Sequence, residues 1–441
     1  MTWDVKWSAP RKKRKAGVCC PAMTLDGLST PALAVLPFTN ASGDPAKAYL
    51  ATGLSRYLTH TLQHVTALGA APRPVKPVDA ATVLDGSVRH TATHLSLALD
   101  LTRSEDGTAV WAARYDRKVD EIVAVVREAG AQILEALHVT PRDAEQRILD
   151  RAPTTHARAF DAYLRGRELY QQIRRRSQDL AHDLFAEAVK ADAGFALAHA
   201  GRADCHAMLF SYWDSSADHL READAASARA VELDGARAEI RVSRGLALSL
   251  NKRVDEAERE FARALELNPT SFDACYLRAR SCRGAGHMEE AVAWFERAGA
   301  LRPDDYATPA LLATAYVSLG RTDDATGAKR RALDIIERHL KTNPDDERAL
   351  YLGATCLTSL GDKGRAREWA KRAVAMEPDD SAVLYNVACA YSLLGLKDSG
   401  IDCLERAVQN GFGHWEWIEH DSDLDPLRDQ PRFQALVQRQ A

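Results

Sequence analysis

The densest group of metal-competent side chains is HWEWIEHDSDLD (414–425), which holds His414, Glu416, Glu419, His420, Asp421, Asp423 and Asp425. Imidazoles and carboxylates in such numbers suit a divalent ion. The same stretch carries Trp415 and Trp417, and it also reads as a capping segment whose indoles cover an apolar end while its acids face water. The capping reading is preferred because a terminal helical layer requires a polar outer face. The eight cysteines form no CxxC and histidine pattern of a zinc site. Cys205, Cys275, Cys282, Cys356, Cys389 and Cys403 lie singly in helical patterns, as small buried hydrophobes do. Cys19 and Cys20 are adjacent and poorly placed to bridge each other. The sequence contains no G-x-x-x-x-G-K-[ST] phosphate loop, no G-x-G-x-x-G after a strand, no H-E-x-x-H and no G-x-S-x-G. An enzyme is therefore not expected, and neither a metal nor another cofactor is.

Composition narrows the remaining classes. With 441 residues, 46% of them hydrophobic, the chain can form more than one core. A net charge of -4, from 58 basic and 62 acidic residues, favours neither nucleic acid nor an anionic membrane. Only the start is lopsided, where Lys6 and RKKRK (11–15) face Asp4 alone; residues 1–30 read as a basic disordered tail. AGVCC (16–20) has the look of a lipoprotein cleavage site, but no apolar run precedes it. No run approaches the roughly 20 apolar residues of a membrane span. Unpaired cysteines and the lack of a leader pattern point to a reducing cytoplasm.

Chemistry being sparse, the elements carry the reading. VDEAEREFARALELNP (254–269) is an amphipathic helix ending at a proline, with Val254, Ala257, Phe261, Ala264 and Leu265 on one face. Alanines at such places imply that another backbone comes close. Pro269, Pro303, Pro344 and Pro378 close similar stretches at intervals of 34, 41 and 34 residues, and Gly235 stands 34 residues before Pro269. Ala291, Phe295 and Ala298 repeat the small–aromatic–small order, Ala366 and Ala373 keep its register, and AHDLFAEAVKADA (181–193) repeats it earlier. Each unit also begins with a first helix that shows the complementary half of the pattern, ending in glycine in the two clearest: Ala313, Tyr316 and Gly320 in one, Ala388, Tyr391 and Gly395 in the other. This helix–turn–helix period of 34 resembles the tetratricopeptide repeat. Seven units are expected over 159–412, two with insertions, FSYWDSS (210–216) and a second near 327–335; 413–441 forms the cap.

The first third has another period. PALAVLPF (31–38) reads as a buried strand, and Asp44 and Pro45 as the start of a helix. Leu95, Leu97, Leu99 and Leu101 alternate with polar or small residues, as in a strand buried on one face. SEDG (104–107) turns into a hairpin partner at 108–116, and 119–134 presents Ile122, Val125, Val126, Ala129 and Ile133 along one helix face. These mark an α/β domain over 31–138, joined by a linker at 139–158 to the solenoid, so the expected fold class is mainly α. LAVLPFTNASGDPAKAYLATGLSRYL, VLDGSVRH and VWAARYDR resemble the TolB-like amino-terminal module that precedes repeat arrays in bacterial proteins, and the stretch 386–437 is similar to the terminal unit of those arrays. Some relatives place a class III adenylate cyclase or a winged-helix head before that module, which this sequence lacks. It also lacks the second strand and longer helix those relatives carry before VLDGSV, and that puts a ligand-binding role of the α/β domain in doubt.

What remains is binding of a protein or peptide segment by the array. First helices line the concave face of such arrays, and their outward positions here hold Tyr163, Arg167 and Tyr170 in the first unit and Tyr276, Arg280 and Arg283 in the fourth. Arg348 and Tyr351 follow in the sixth, Tyr385 and Asn386 in the seventh. Tyrosine and arginine are favoured at interfaces, and the arginines suit a partner of acidic character. The Lys/Asn set that clamps a terminal carboxylate in some repeat domains is matched only by Asn386. The alternative is the regulatory half of a signalling protein whose output domain is missing or separately encoded.

Overall fold

The computed structural model describes residues 33–68, 80–91 and 93–438. The basic stretch 1–30, the cysteine pair within it and most of the shortened connection before VLDGSV lie outside the described residues.

Strands β1 (Leu33–Val35), β2 (Thr39–Asn40), β3 (Thr82–His90), β4 (His94–Arg103) and β5 (Ala109–Lys118) form one sheet in the order β1-β3-β4-β5, with β2 also pairing β3. Both β1 and β2 run parallel to β3, with helix α1 (Ala48–Gln63) as the crossover, while β3, β4 and β5 form an antiparallel meander. The alternating leucines of β4 are all buried, beneath α1 and helix α2 (Ile122–Ala136). Asp44 Oδ1 accepts from Ala46 N at 2.9 Å and so caps a short helical turn that leads into α1. The other sheet face is polar and holds an open depression of about 240 Å³ lined by Ser87, Arg89, Ser96, Arg114 and Asp116.

The stretch expected to be a plain linker contains helix α3 (Asp143–Asp150). Glu145 ties it down: its carboxylate accepts from Arg142 N at 2.8 Å and from Thr66 Oγ1 at 2.8 Å. Burial opposes its charge, yet the Arg142 guanidinium and these N–H and O–H donors pull its pKa to about 2.

Seven helix pairs follow: α4 (Ala157–Tyr170) with α5 (Arg175–Ala191), α6 (Ala196–Tyr212) with α7 (Ala217–Asp234), and α8 (Ala238–Leu250) with α9 (Val254–Leu267). Then come α10 (Phe272–Gly284) with α11 (Met288–Leu301), α12 (Ala307–Ser318) with α13 (Thr322–Thr342), α14 (Glu347–Ser359) with α15 (Lys363–Met376), and α16 (Ser381–Leu393) with α17 (Lys397–Gln409). Small residues sit where an aromatic from the second helix enters the first. A Cβ added at Gly201 would lie 2.7 Å from Phe185, and one at Gly245 2.8 Å from Phe261; Trp369 fills the same place beside Gly353. Ala257, Phe261, Ala264 and Leu265 are buried as the spacing predicts.

Helix α13 absorbs the second insertion as helix: it has 21 residues against 14 in α9, α11 and α15. The added length is almost two whole turns, so Ala325, Ala328, Ala332 and Ile336 stay on one buried face. The α/β domain shares a continuous core with the first units. Tyr57 meets Phe160 edge to face at 5.0 Å, Tyr49 Oη donates to Asp161 at 2.6 Å, and Thr52 Oγ1 donates to Glu168 at 3.0 Å.

At the other end, helices α18 (Trp415–His420) and α19 (Pro431–Gln438) fold over α16 and α17. Ile418, Leu424, Leu427, Phe433 and Leu436 are buried there, with Trp415 packed beside them. The Glu416, Trp417 and His420 side chains lie outside the described residues.

Candidate functional site

Helix α6 runs for 17 residues, against 12 to 14 in the other first helices. Its extra turn carries Tyr212, with Trp213 following, towards units six and seven. The Trp213 indole is 3% exposed and its Nε1–H donates to Asp380 Oδ2 at 2.6 Å. Ser381 Oγ donates to Tyr212 O at 3.3 Å, and His414 Nε2 meets Phe210 O at 2.8 Å. One layer earlier, Arg174 donates to Asp345 O at 3.1 Å and to Glu347 Oε2 at 3.2 Å. The superhelix therefore returns on itself, units one and two touching units six and seven. At this seam Ile173, Tyr212, Trp213, Arg348, Tyr351 and Asp380 enclose a void of only about 10 Å³, too small to hold more than one water.

Inside the ring three guanidiniums converge. Arg280 lies 5.8 Å from the centre of the Tyr212 ring and 5.9 Å from that of Tyr276. Arg348 Nη2 approaches Tyr276 Oη at 3.4 Å, bringing α10 and α14 together across the inner side. Arg283, one turn on, has a buried Nε with no hydrogen-bond partner, and burial together with the Arg280 charge lowers its pKa. Among the described residues none of the three forms a salt bridge with a carboxylate. Tyr212 reports the resulting field: burial pushes its phenol up, but Arg280 and Arg348 outweigh burial and hold it below the ordinary tyrosine value. Arginine–aromatic contact supplies part of the attraction.

The other residues expected on the concave face are engaged elsewhere. Tyr163 is half-buried among Phe160, Phe185 and Phe195. Arg167 faces Asp204 Oδ2 at 3.4 Å and the Tyr170 ring at 5.1 Å. Burial raises the Asp204 carboxyl to about 6 even with that guanidinium beside it. Tyr351 and Tyr385 are 5% and 4% exposed rather than open to a guest. The carboxyl-terminal segment covers Tyr385, which stacks on Phe412 at 4.2 Å and donates to Asp421 Oδ2 at 2.7 Å. Asn386 Nδ2 donates to Ala382 O of its own helix at 2.8 Å. The structure thus brings together Tyr276, Arg280, Arg283 and Arg348 and separates the first-unit set from them. It adds Tyr212, Trp213 and Asp380, whose only sequence signal is an aromatic pair in an insertion where other units turn with short polar residues.

In the cap, Asp421 is hydrogen-bonded to Tyr385 and accepts from Asp423 N at 2.9 Å, while Arg428 Nε donates to Asp425 at 2.7 Å. Among the described residues no group of three or more histidine, cysteine or acidic side chains is arranged to hold a metal ion. None of the helices described is long and apolar enough to cross a membrane.

The fold and the repeating pair define a tetratricopeptide-repeat solenoid behind a small α/β domain. Residues 248–307, 311–381 and 381–410 each match a family model described as tetratricopeptide repeat. The chain is 29% identical over 245 residues to a putative adenylate cyclase 3 of Rhizobium meliloti (strain 1021), a match covering 52% of this chain and 42% of that protein. The chain thus spans about two-fifths of the length of that curated relative. Among solved structures it is similar to the human IFIT1 dimer with m7Gppp-AAAA, at 16% identity and a TM-score of 0.47, covering 65% of this chain and 64% of that one. It is also similar to a thermophilic TPR protein in Thermus thermophilus, at 23% identity and a TM-score of 0.35, covering 42% of this chain and 98% of that one.

Proposed function

We propose that the chain is a non-enzymatic interaction scaffold whose repeat array holds a protein segment of acidic character along its inner side, around Tyr276, Arg280, Arg283 and Arg348. The carrying observation is the convergence of three half-buried guanidiniums, none of which forms a salt bridge with a carboxylate among the described residues. Partial desolvation strengthens the bonds such groups make to carboxylates. The α/β domain, docked on the first pair, holds that end of the array rigid.

The test is recovery of partners after cross-linking in the host. Arg280→Ala with Arg283→Ala should reduce capture several-fold at matched circular dichroism, and capture by the unaltered chain should fall with rising salt. Equal recovery would remove the inner side as the binding surface. A second reading, favoured by the likeness to the putative adenylate cyclase, is that the TolB-like module and array form the regulatory half of a cytoplasmic signalling protein. Transcript sequence upstream of the Met1 codon that encodes a cyclase or winged-helix head would support it.

A further inference from the structure

The inner side of the array is already occupied by the chain itself. Tyr212 places its phenol oxygen among Arg280, Arg283 and Arg348, and Trp213 fastens it through the bond from its indole N–H to Asp380. The fastening point is preorganised: while Oδ2 of Asp380 receives the indole, Oδ1 caps α16 by accepting from Ala382 N at 2.9 Å and Val383 N at 3.0 Å. One phenol oxygen is a poor match for three guanidiniums, because a carboxylate would supply two acceptor oxygens in a geometry that a guanidinium fork fits.

We propose that residues 210–216 are an intramolecular stand-in for the partner: an acidic segment enters by setting a side-chain carboxylate among Arg280, Arg283 and Arg348 in place of the Tyr212 phenol, and the Trp213–Asp380 clasp opens to admit it. This rests on the scaffold reading and adds its regulation. Because only the open form is competent, the clasp lowers the apparent affinity by the fraction of molecules that are open. The opening also frees the His414–Phe210 contact and loosens the seam between units two and seven. Partner binding is thereby coupled to opening of the ring.

The experiment uses the full chain and a fluorescein-labelled polyglutamate peptide followed by anisotropy. Trp213→Phe keeps the ring and removes the indole N–H, so it should bind the peptide about 10-fold more tightly, the effect of losing one charge-assisted hydrogen bond. Asp380→Asn, which keeps a capping oxygen but no charge, should act in the same direction and serves if the first variant fails to fold. Arg280→Ala with Arg283→Ala should abolish binding in either background. Peptide binding to the unaltered chain should speed amide exchange in 208–216 and 378–384 together. Equal affinities with unchanged exchange would overturn the clasp and leave the scaffold reading standing. No peptide binding to any variant, while partners are still captured from the host, would overturn the carboxylate assignment alone. Preference for an oligonucleotide of equal charge would overturn it as well.

Discussion

Gly245 has no side chain because Phe261 occupies its place. A Cβ there would sit 2.8 Å from Phe261 Cε1, inside any normal contact, and the ring is fully buried with nowhere to move. Gly245→Ala should therefore lower the stability of the array by about 1 to 3 kcal/mol through overpacking, read as a drop in denaturant midpoint. An unchanged midpoint would mean that α8 and α9 can separate freely. Lys252 presents the opposite case. Gly286, Gly320, Gly361 and Gly395 end the first helices of four other units at φ of 80°, 71°, 92° and 76°, and Lys252 stands at the equivalent turn with φ 60°. An L side chain is strained there, and glycine is not. Lys252→Gly should raise stability by roughly 0.5 to 1 kcal/mol despite the added freedom of the unfolded chain, and a melting curve decides the sign. The turn glycines and buried alanines are legible from the 34-residue period. The strained lysine is not, because its meaning appears only once the φ of its equivalents is known.

At the scale of elements, three imidazoles meet in the layer formed by α5, α6 and α7. His206 Nδ1 faces His219 Nδ1 at 2.9 Å, the His182 ring stands 4.8 Å away, and Nε2 of both His182 and His206 is buried without a partner. Burial first, then His182, His219 and Arg202, press the His206 pKa from 6.5 down to about 4. Between those values the unfolded chain carries a proton on this group that the folded one refuses, so stability is lost as pH falls from 6.5 towards 4 and is unaffected above. Amide exchange across α6 and α7, corrected for intrinsic rates, should accelerate over that window by an amount on the order of 1 to 3 kcal/mol. His206→Asn should flatten the dependence, and an equally steep profile in that variant would assign it elsewhere. Element legibility follows how local the cause is. The β4 leucines, the Asp44 cap and the α2 face are readable because each depends on near neighbours in sequence. Helix α3 escapes a sequence reading because its anchor, Glu145 on Thr66, joins residues 79 apart. The cap announces itself through Trp415 and Trp417, yet its buried contacts come from Ile418, Leu424, Leu427, Phe433 and Leu436, whose spacing follows neither helical nor strand period across the short turns between them.

At the scale of the whole molecule, the closed seam changes what kind of object the array is. In an open solenoid each unit contacts its neighbours alone, so stability adds along the chain and an end frays without disturbing the far end. Here Trp213 bonds to Asp380 across 167 positions, Arg174 to Glu347 across 173, and His414 to Phe210 across 204. These contacts tie the two ends of the array together, so the seven pairs are expected to unfold as one body, and no periodicity could have announced them, since a repeat pattern describes neighbours only. The same closure explains why expected groove residues such as Tyr351 are buried: an open-array reading places first-helix tyrosines on a free surface, whereas the returning segment covers them. Trp213→Ala should accordingly separate the two behaviours. With the seam broken, denaturant unfolding should broaden and its m-value fall, because units at the two ends would then melt independently. Amide exchange should rise in α16 as well as α6, although α16 carries no substitution. If exchange rose around residue 213 alone and the transition stayed as steep, the far contacts would be passengers on a solenoid stabilised by neighbour packing alone.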